Sequence, residues 1–191
     1  RGGYRCVMAD PPWNESGGGK IKRGADKHYP LMKSKDIIAL PVKELADPTG
    51  CHLWLWVTDN YLIDGLRVME AWGFRYIRTM CWGKVRNGKV QIGMGQYLRG
   101  SHELLLLGVM GKLPTMTNSQ PSLILAERTK HSRKPQAVVD AIMRQSPGPR
   151  VELFGRGDRE GWTTLGNESD GRDIREAIVD LCGLPKQETL L

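Results

Sequence analysis

The sequence predicts an α/β fold, a mostly parallel sheet flanked by helices, in a single domain over residues 1–191. Two patterns carry that expectation. Apolar runs at 6–9, 52–58, 103–109, 123–126 and 150–154 have the length and the β-branched or aromatic content of strands buried on both faces. Between several of them, apolar residues recur at helical spacing, which puts helices on both faces of the sheet. A chain of 191 residues also buries enough surface to fold without staples.

The first run, CVMA, leads straight into Asp10-Pro11-Pro12-Trp13. Neither proline donates a backbone hydrogen bond and each fixes its own φ, so the chain leaves the sheet as a stiff extended corner. That corner offers the Asp10 carboxylate, a Pro11 carbonyl expected to lack a local partner, and a Trp13 ring expected at an open rim. These are the requirements for methylating an amino group on a nucleobase. The lone pair of such an amine is delocalised into the ring, and two acceptors aimed at its protons restore nucleophilic character while an aromatic face holds the base. The same four residues also fit a plain turn with a tryptophan capping the core.

Residues 14–27 carry Gly17-Gly18-Gly19 and four basic side chains, which fits a lid over nucleic acid or a tolerated surface insertion. Ser34 is expected to cap a short helix through Leu40 that Pro41 stops. In the second run, Trp54 and Trp56 share one face and read as core. Asp59 opens a helix with Leu62, Leu66 and Met69 on one stripe, ended by Gly73. After a strand over 74–82, Asn87-Gly88 is a two-residue hairpin signal. Lys84, Arg86 and Lys89 around it make a basic tip, for a nucleic-acid groove or for solvent. Strands at 103–109 and 123–126 precede a charged loop, and Pro135 enters the first turn of a helix with Val138, Val139, Ile142 and Met143 on one face. The run at 150–154 ends in Gly155-Arg156-Gly157, small residues that let a backbone approach a ligand. A last helix carries Ile174, Ile178 and Leu181 and stops at Gly183. Ligands of such sheets bind beyond the carboxyl ends of the strands, so Asp10, the 127–134 loop and residues 155–157 are expected along one rim.

Twenty-eight Lys and Arg against 21 Asp and Glu give a formal charge of +7, which suits a polyanionic partner. Four scattered cysteines without ligand spacing speak against a structural metal and for a reducing, cytoplasmic-type compartment. No membrane span or signal peptide is expected.

The motifs together resemble the N6-adenine methyltransferase family with a DPPW motif, typified by the catalytic subunit of the messenger-RNA adenosine methyltransferase. The resemblance runs through VMADPPW (7–13), LWLWVT (53–58), the Trp82-Gly83-Lys84 stretch, AERTKHSRKP (126–135), MRQSPGPRVELFGR (143–156) and WTTLGN (162–167). It implies a Rossmann-like, S-adenosylmethionine-dependent methyltransferase fold with the catalytic motif before the cofactor motif. By position, Asp10, Pro11, Pro12 and Trp13 would hold the target amine, with Asp10 also near the donor. Tyr29 resembles the loop tyrosine on the substrate side. Lys134 would meet the methionine end of the donor, and Arg156 and Asn167 its ribose and adenosine, with Glu168 where the messenger-RNA enzyme has Gln. The loop after Arg156 is shorter than in that enzyme and lacks its His-Asn pair.

The activity this implies is methyl transfer to the N6 amine of adenine, in DNA in preference to RNA, by a homodimer that binds no structural metal and no membrane. The rivals are an RNA adenosine methyltransferase, a cytosine methyltransferase, and a non-catalytic nucleic-acid-binding partner subunit. The last has no need of Asp10 and Trp13.

Overall fold

The computed structural model describes residues 3–14, 31–95, 97–128 and 134–185. They form β1 (Cys6–Ala9), α1 (Ser34–Ile38), β2 (Gly50–Val57), α2 (Leu62–Ala71), β3 (Arg75–Arg86), β4 (Lys89–Val90), β5 (His102–Gly111) and β6 (Leu123–Glu127). Then follow α3 (Gln136–Gln145), β7 (Arg150–Leu153), β8 (Thr163–Leu165), α4 (Asn167–Asp170) and α5 (Ile174–Cys182). The strands make one sheet in the order β4-β3-β5-β2-β1-β7-β8, with β6 also paired to β3.

The sheet is mostly parallel, as expected, with six of its eight strands running one way and only β4 and β5 reversed. β1 pairs parallel with β2 and β7, β7 with β8, and β3 with β6. β5, in contrast, lies antiparallel between β2 and β3, and β4 folds back on β3. No helix follows β3. A tight turn, then a short return, leads into β5, and without a crossover a returning strand can only run antiparallel.

Alternation along the central strands divides the core. Val7 and Ala9 of β1, with Leu53, Leu55 and Val57 of β2, face a layer built from α1, α2 and α5 through Ile37, Val68, Met69, Ile174 and Ile178. Cys6, Met8, Trp54 and Trp56 face the other way, onto Val138, Ala141 and Ile142 of α3. Both faces of β1 and β2 are therefore buried, which is why these runs read as continuous apolar stretches.

Several local expectations shift. Ser34 is the first residue of α1 instead of its cap, Lys33 stands in that place, and no side chain caps the end. On α2 the buried stripe is Gly65, Val68 and Met69, while Leu66 is exposed. A 3₁₀ turn at Asp59–Tyr61 precedes the helix and rotates its register. Pro135 is the residue before α3 and not part of its first turn. On α5 the Asp173 side chain accepts from the backbone of Arg175 and Glu176, Cys182 closes the buried stripe, and Leu181 is exposed. Asn87 and Gly88 both have positive φ, 49° and 72°, as the two-residue hairpin requires.

Beneath the sheet lies a buried polar knot. The His52 Nε2 faces the Leu113 carbonyl at 2.9 Å, and a carbonyl only accepts, so Nε2 carries the proton. With the ring neutral, Nδ1 accepts from the Ser146 hydroxyl at 2.8 Å, and that oxygen accepts the Trp54 indole N–H at 2.9 Å. Burial lowers the pKa of His52, which keeps the ring in this neutral form. All four cysteines are free. Among the described residues no helix is long and apolar enough to cross a membrane, and no group of three His, Cys, Asp or Glu is placed to hold a metal.

Candidate active site

The corner after β1 is more tightly made than its sequence suggests. The Trp13 N–H donates to the Pro11 carbonyl at 2.8 Å, a turn centred on Pro12, so the expectation that this carbonyl has no local partner is corrected. One of its two lone pairs is left over. The Met32 N–H donates to the Pro12 carbonyl at 2.8 Å and ties the corner to the segment entering α1.

Trp13 is likewise not at an open rim. It is 6% exposed, its indole N–H donates to the Trp56 carbonyl at 3.1 Å, and its ring stacks on Tyr61 at 5.2 Å and 20°. Burying a large aromatic against the end of β2 recovers more free energy than exposing it beside a ligand, and its polar edge finds a partner.

Asp10 belongs to a chain of alternating charges. The Lys134 ammonium donates to the Asp10 carboxylate at 3.0 Å and to Glu103 at 2.9 Å, and Glu103 also accepts from Lys84 at 2.8 Å. Trp56 and Trp82, edge to face at 6.2 Å, form its floor. The Lys134 ammonium stands 4.8 Å from the Trp56 ring centre and that of Lys84 stands 5.3 Å from the Trp82 ring centre. Burial raises the Asp10 pKa, against the pull of Lys134, and Glu103 raises it further. Burial opposes the charge of Lys134, but Asp10 and Glu103 outweigh it and its pKa is raised. Glu103, in spite of burial, is held below its ordinary value by Lys134 and Lys84. Lys84 thus points inward, and the expectation that it serves the basic hairpin tip is corrected. Arg86 and Lys89 are exposed at the turn.

Beside this chain opens a cleft of about 780 Å³, at the carboxyl ends of β1, β2 and β7. Asp10, Lys134 and Arg156 line it together with Met8, Trp56, Glu152 and Arg159. Arg159 donates to both oxygens of Glu152, at 2.7 and 3.4 Å, and to Gln136 at 3.2 Å. Between the lining residues Phe154 and Arg156, Gly155 packs closely on β8, where a Cβ would come within 2.2 Å of the Thr164 methyl. Arg156 also pairs with Glu168 at 4.0 Å, just behind the cleft. Asn167, exposed at the start of α4, and the hairpin pair Arg86 and Lys89 are not among the lining residues. Tyr29 lies outside the described residues, as does the loop thought of as a lid.

Three expected site residues therefore converge, and Glu103, Trp56, Glu152 and Arg159 join them unannounced. A signal existed for the two glutamates. Each is a carboxylate embedded in an apolar strand run, HELLLL and RVELF, where a charge is retained only with a partner.

A carboxylate stiffened by a lysine, next to a cleft of small-molecule size with groups of both charges, can orient a polar substrate edge against a bound second reactant. Known proteins with similar sequences point the same way. The chain is 29% identical over 189 residues to the Type II methyltransferase M.MunI of a Mycoplasma species, covering 86% of this chain and 77% of that protein. It is 32% identical over 182 residues to the N(6)-adenosine-methyltransferase MT-A70-like protein of Drosophila melanogaster, covering 89% of this chain and 28% of that one. It is 30% identical over 189 residues to the human N(6)-adenosine-methyltransferase catalytic subunit METTL3, covering 93% and 30%. This chain thus spans most of the first protein and under a third of the other two. The family model described as MT-A70 matches residues 4–168, a span that holds the corner, the charged chain and the cleft, and the chain belongs to the MT-A70 family.

Proposed function

We propose that this chain transfers a methyl group from S-adenosylmethionine to the exocyclic N6 amine of adenine in nucleic acid, DNA in preference to RNA. In the same reading it works as a homodimer in the cytoplasm of a prokaryotic or phage-infected cell. The observation that carries the reaction is the Lys134 ammonium, 3.0 Å from Asp10 at the mouth of the cleft. Lys134 occupies one oxygen of Asp10, and among the described residues no hydrogen-bond partner takes the other, which is the acceptor for an amine proton. The spare lone pair of the Pro11 carbonyl is the second acceptor. As the nitrogen gains positive charge, the Asp10 carboxylate stabilises it and stands ready for the departing proton. Pro12 stiffens the corner and Trp13 anchors it, so both acceptors keep their spacing.

The lining of the cleft fits S-adenosylmethionine, which when bound supplies a methyl group on a sulfonium. The volume lies within the ~300–1,000 Å³ of small-molecule sites. Lys134 has a third N–H for a carboxylate. The oxygens of Glu152 keep lone pairs for hydroxyls, as does Asp140, and Met8, Met143, Phe154 and Trp56 supply an apolar wall. Arg156, paired with Glu168, serves the ribose and adenosine end, and Asn167, next to Glu168 in the chain but outside the present lining, would have to turn in to join it. The catalytic motif then precedes the cofactor motif along a Rossmann-like sheet.

Support for DNA is the match to the Type II methyltransferase, over most of that protein. RNA is the second reading, favoured by relatives named N(6)-adenosine methyltransferases. A net charge of +7 suits either polyanion, with Arg86 and Lys89 displayed on the hairpin. For the dimer, support comes from Val90 of β4 and from Ile92, Met94 and Leu98 on the segment after it, 63 to 83% exposed. A self-complementary apolar patch is what a two-fold pair of like-charged chains would bury. The test is methyl transfer to DNA and RNA oligonucleotides of one sequence, in competition, with mass read by light scattering. Faster methylation of RNA overturns the substrate, and a fully active monomer removes the dimer.

A further inference from the structure

Glu103 stands opposite Trp82 in the β3–β5 ladder, at the end of β5 nearest the cleft. Its side chain is 19% exposed and its two oxygens are divided between two lysines, one to Lys84 and one to Lys134. Lysine is a point charge on four rotatable bonds, and one contact to Asp10 would leave it free to swing into the cleft. A second carboxylate, on rigid strand β5, fixes it from the other side while Trp56 supports it from below.

We propose that Glu103 is a positioning residue for the methyl transfer. It locks the Lys134 ammonium against Asp10, so that one carboxylate oxygen is always occupied and the other always faces the amine. The inference rests on the reading of Asp10 as the amine acceptor. It also explains an otherwise unfavourable choice: a second carboxylate near Asp10 opposes its ionisation, and holding the intervening cation in place is the return. Lys84 balances the added charge, so the four groups are neutral together.

The test is Glu103→Gln beside wild type and Asp10→Asn, with kcat, donor affinity by calorimetry and thermal unfolding measured on each. Glutamine keeps the shape but has one uncharged acceptor for two lysines. Lys134 remains a cation in the cleft, so donor binding is expected unchanged or tighter, while kcat falls on the order of 10²-fold, the cost of a misplaced group. A merely structural role would weaken donor binding and the unfolding midpoint along with kcat. Glu103→Asp, which keeps the charge at shorter reach, is expected between the two; it decides alone if Glu103→Gln does not fold. Wild-type kcat in either Glu103 variant, with Asp10→Asn inactive, overturns this inference and leaves the reading of the corner standing. Activity retained in Asp10→Asn overturns both.

Discussion

Asp10 and Trp13 are three positions apart on one short corner, yet the structure gives them different work. Asp10 reaches the cleft and is paired to Lys134, so its replacement acts on the reaction. Asp10→Asn is expected to keep the fold and lose ~10²–10³ in kcat, the usual effect of removing one acceptor from developing charge. Near-wild-type turnover would end the proposed mechanism. Trp13 is buried, bonded to the Trp56 carbonyl and stacked on Tyr61. Trp13→Ala should therefore cost ~3–5 kcal/mol of stability, the range for removing a core aromatic, with activity lost as a consequence. Denaturant unfolding reads this directly; an unchanged midpoint beside lost activity would return Trp13 to the role of a clamp. Lys134 combines both kinds of work, since it braces Asp10 and offers its third N–H to the donor. Lys134→Ala is expected to weaken donor binding in calorimetry as well as turnover.

At the scale of elements, the β3–β4 hairpin is the clearest separable unit. Its base is fixed by the pair of Lys84 with Glu103, and at the turn the Asn87 N–H donates to Glu127 at 3.0 Å. Its tip offers Arg86 and Lys89 to solvent. Phosphate contacts carry affinity through counterion release, so each one lost lowers the slope of log affinity against log salt by about one. Arg86→Ala and Lys89→Ala should each produce that drop without altering donor binding, because neither lines the cleft. Slopes that stay at the wild-type value would make the tip an ordinary solvated turn.

For the molecule as a whole, the buried titratable groups set a pH window of stability. His52 is neutral when folded, with its pKa below the ordinary 6.5. The unfolded chain takes up a proton as pH falls through 6.5 while the folded chain does not, so this contribution is complete above that pH and is lost below it. At the alkaline end, burial pushes the Cys6 thiol from 9.0 up to about 12. Between those values the unfolded thiol releases its proton and the folded one retains it, so stability declines as pH rises past 9.0, and Cys51 adds in the same sense. Thermal unfolding midpoints are expected to plateau between about pH 6.5 and 9.0 and fall on both sides. Cys6→Ser should not flatten the acid limb, whereas a His52 variant that still folds should.

By itself the sequence determined what depends on neighbours along the chain. CVMA and HLWLWV had to be strands buried on both faces, Asn87-Gly88 had to turn, Gly183 had to end a helix, and the order of motifs marked the family. It placed Asp10, Lys134 and Arg156 on one rim because a βα sheet brings the carboxyl ends of its strands together. Only the tertiary structure decided what depends on groups far apart in the chain. The direction of β5 follows from the absence of a crossover helix. The burial of Trp13 follows from the end of β2 lying beneath it, and the inward turn of Lys84 from the placement of Glu103. A lysine at a hairpin reads as solvated until a carboxylate 19 residues away is known to face it. Charge pairing acts through space over a few ångströms, and the fold alone sets which residues those are.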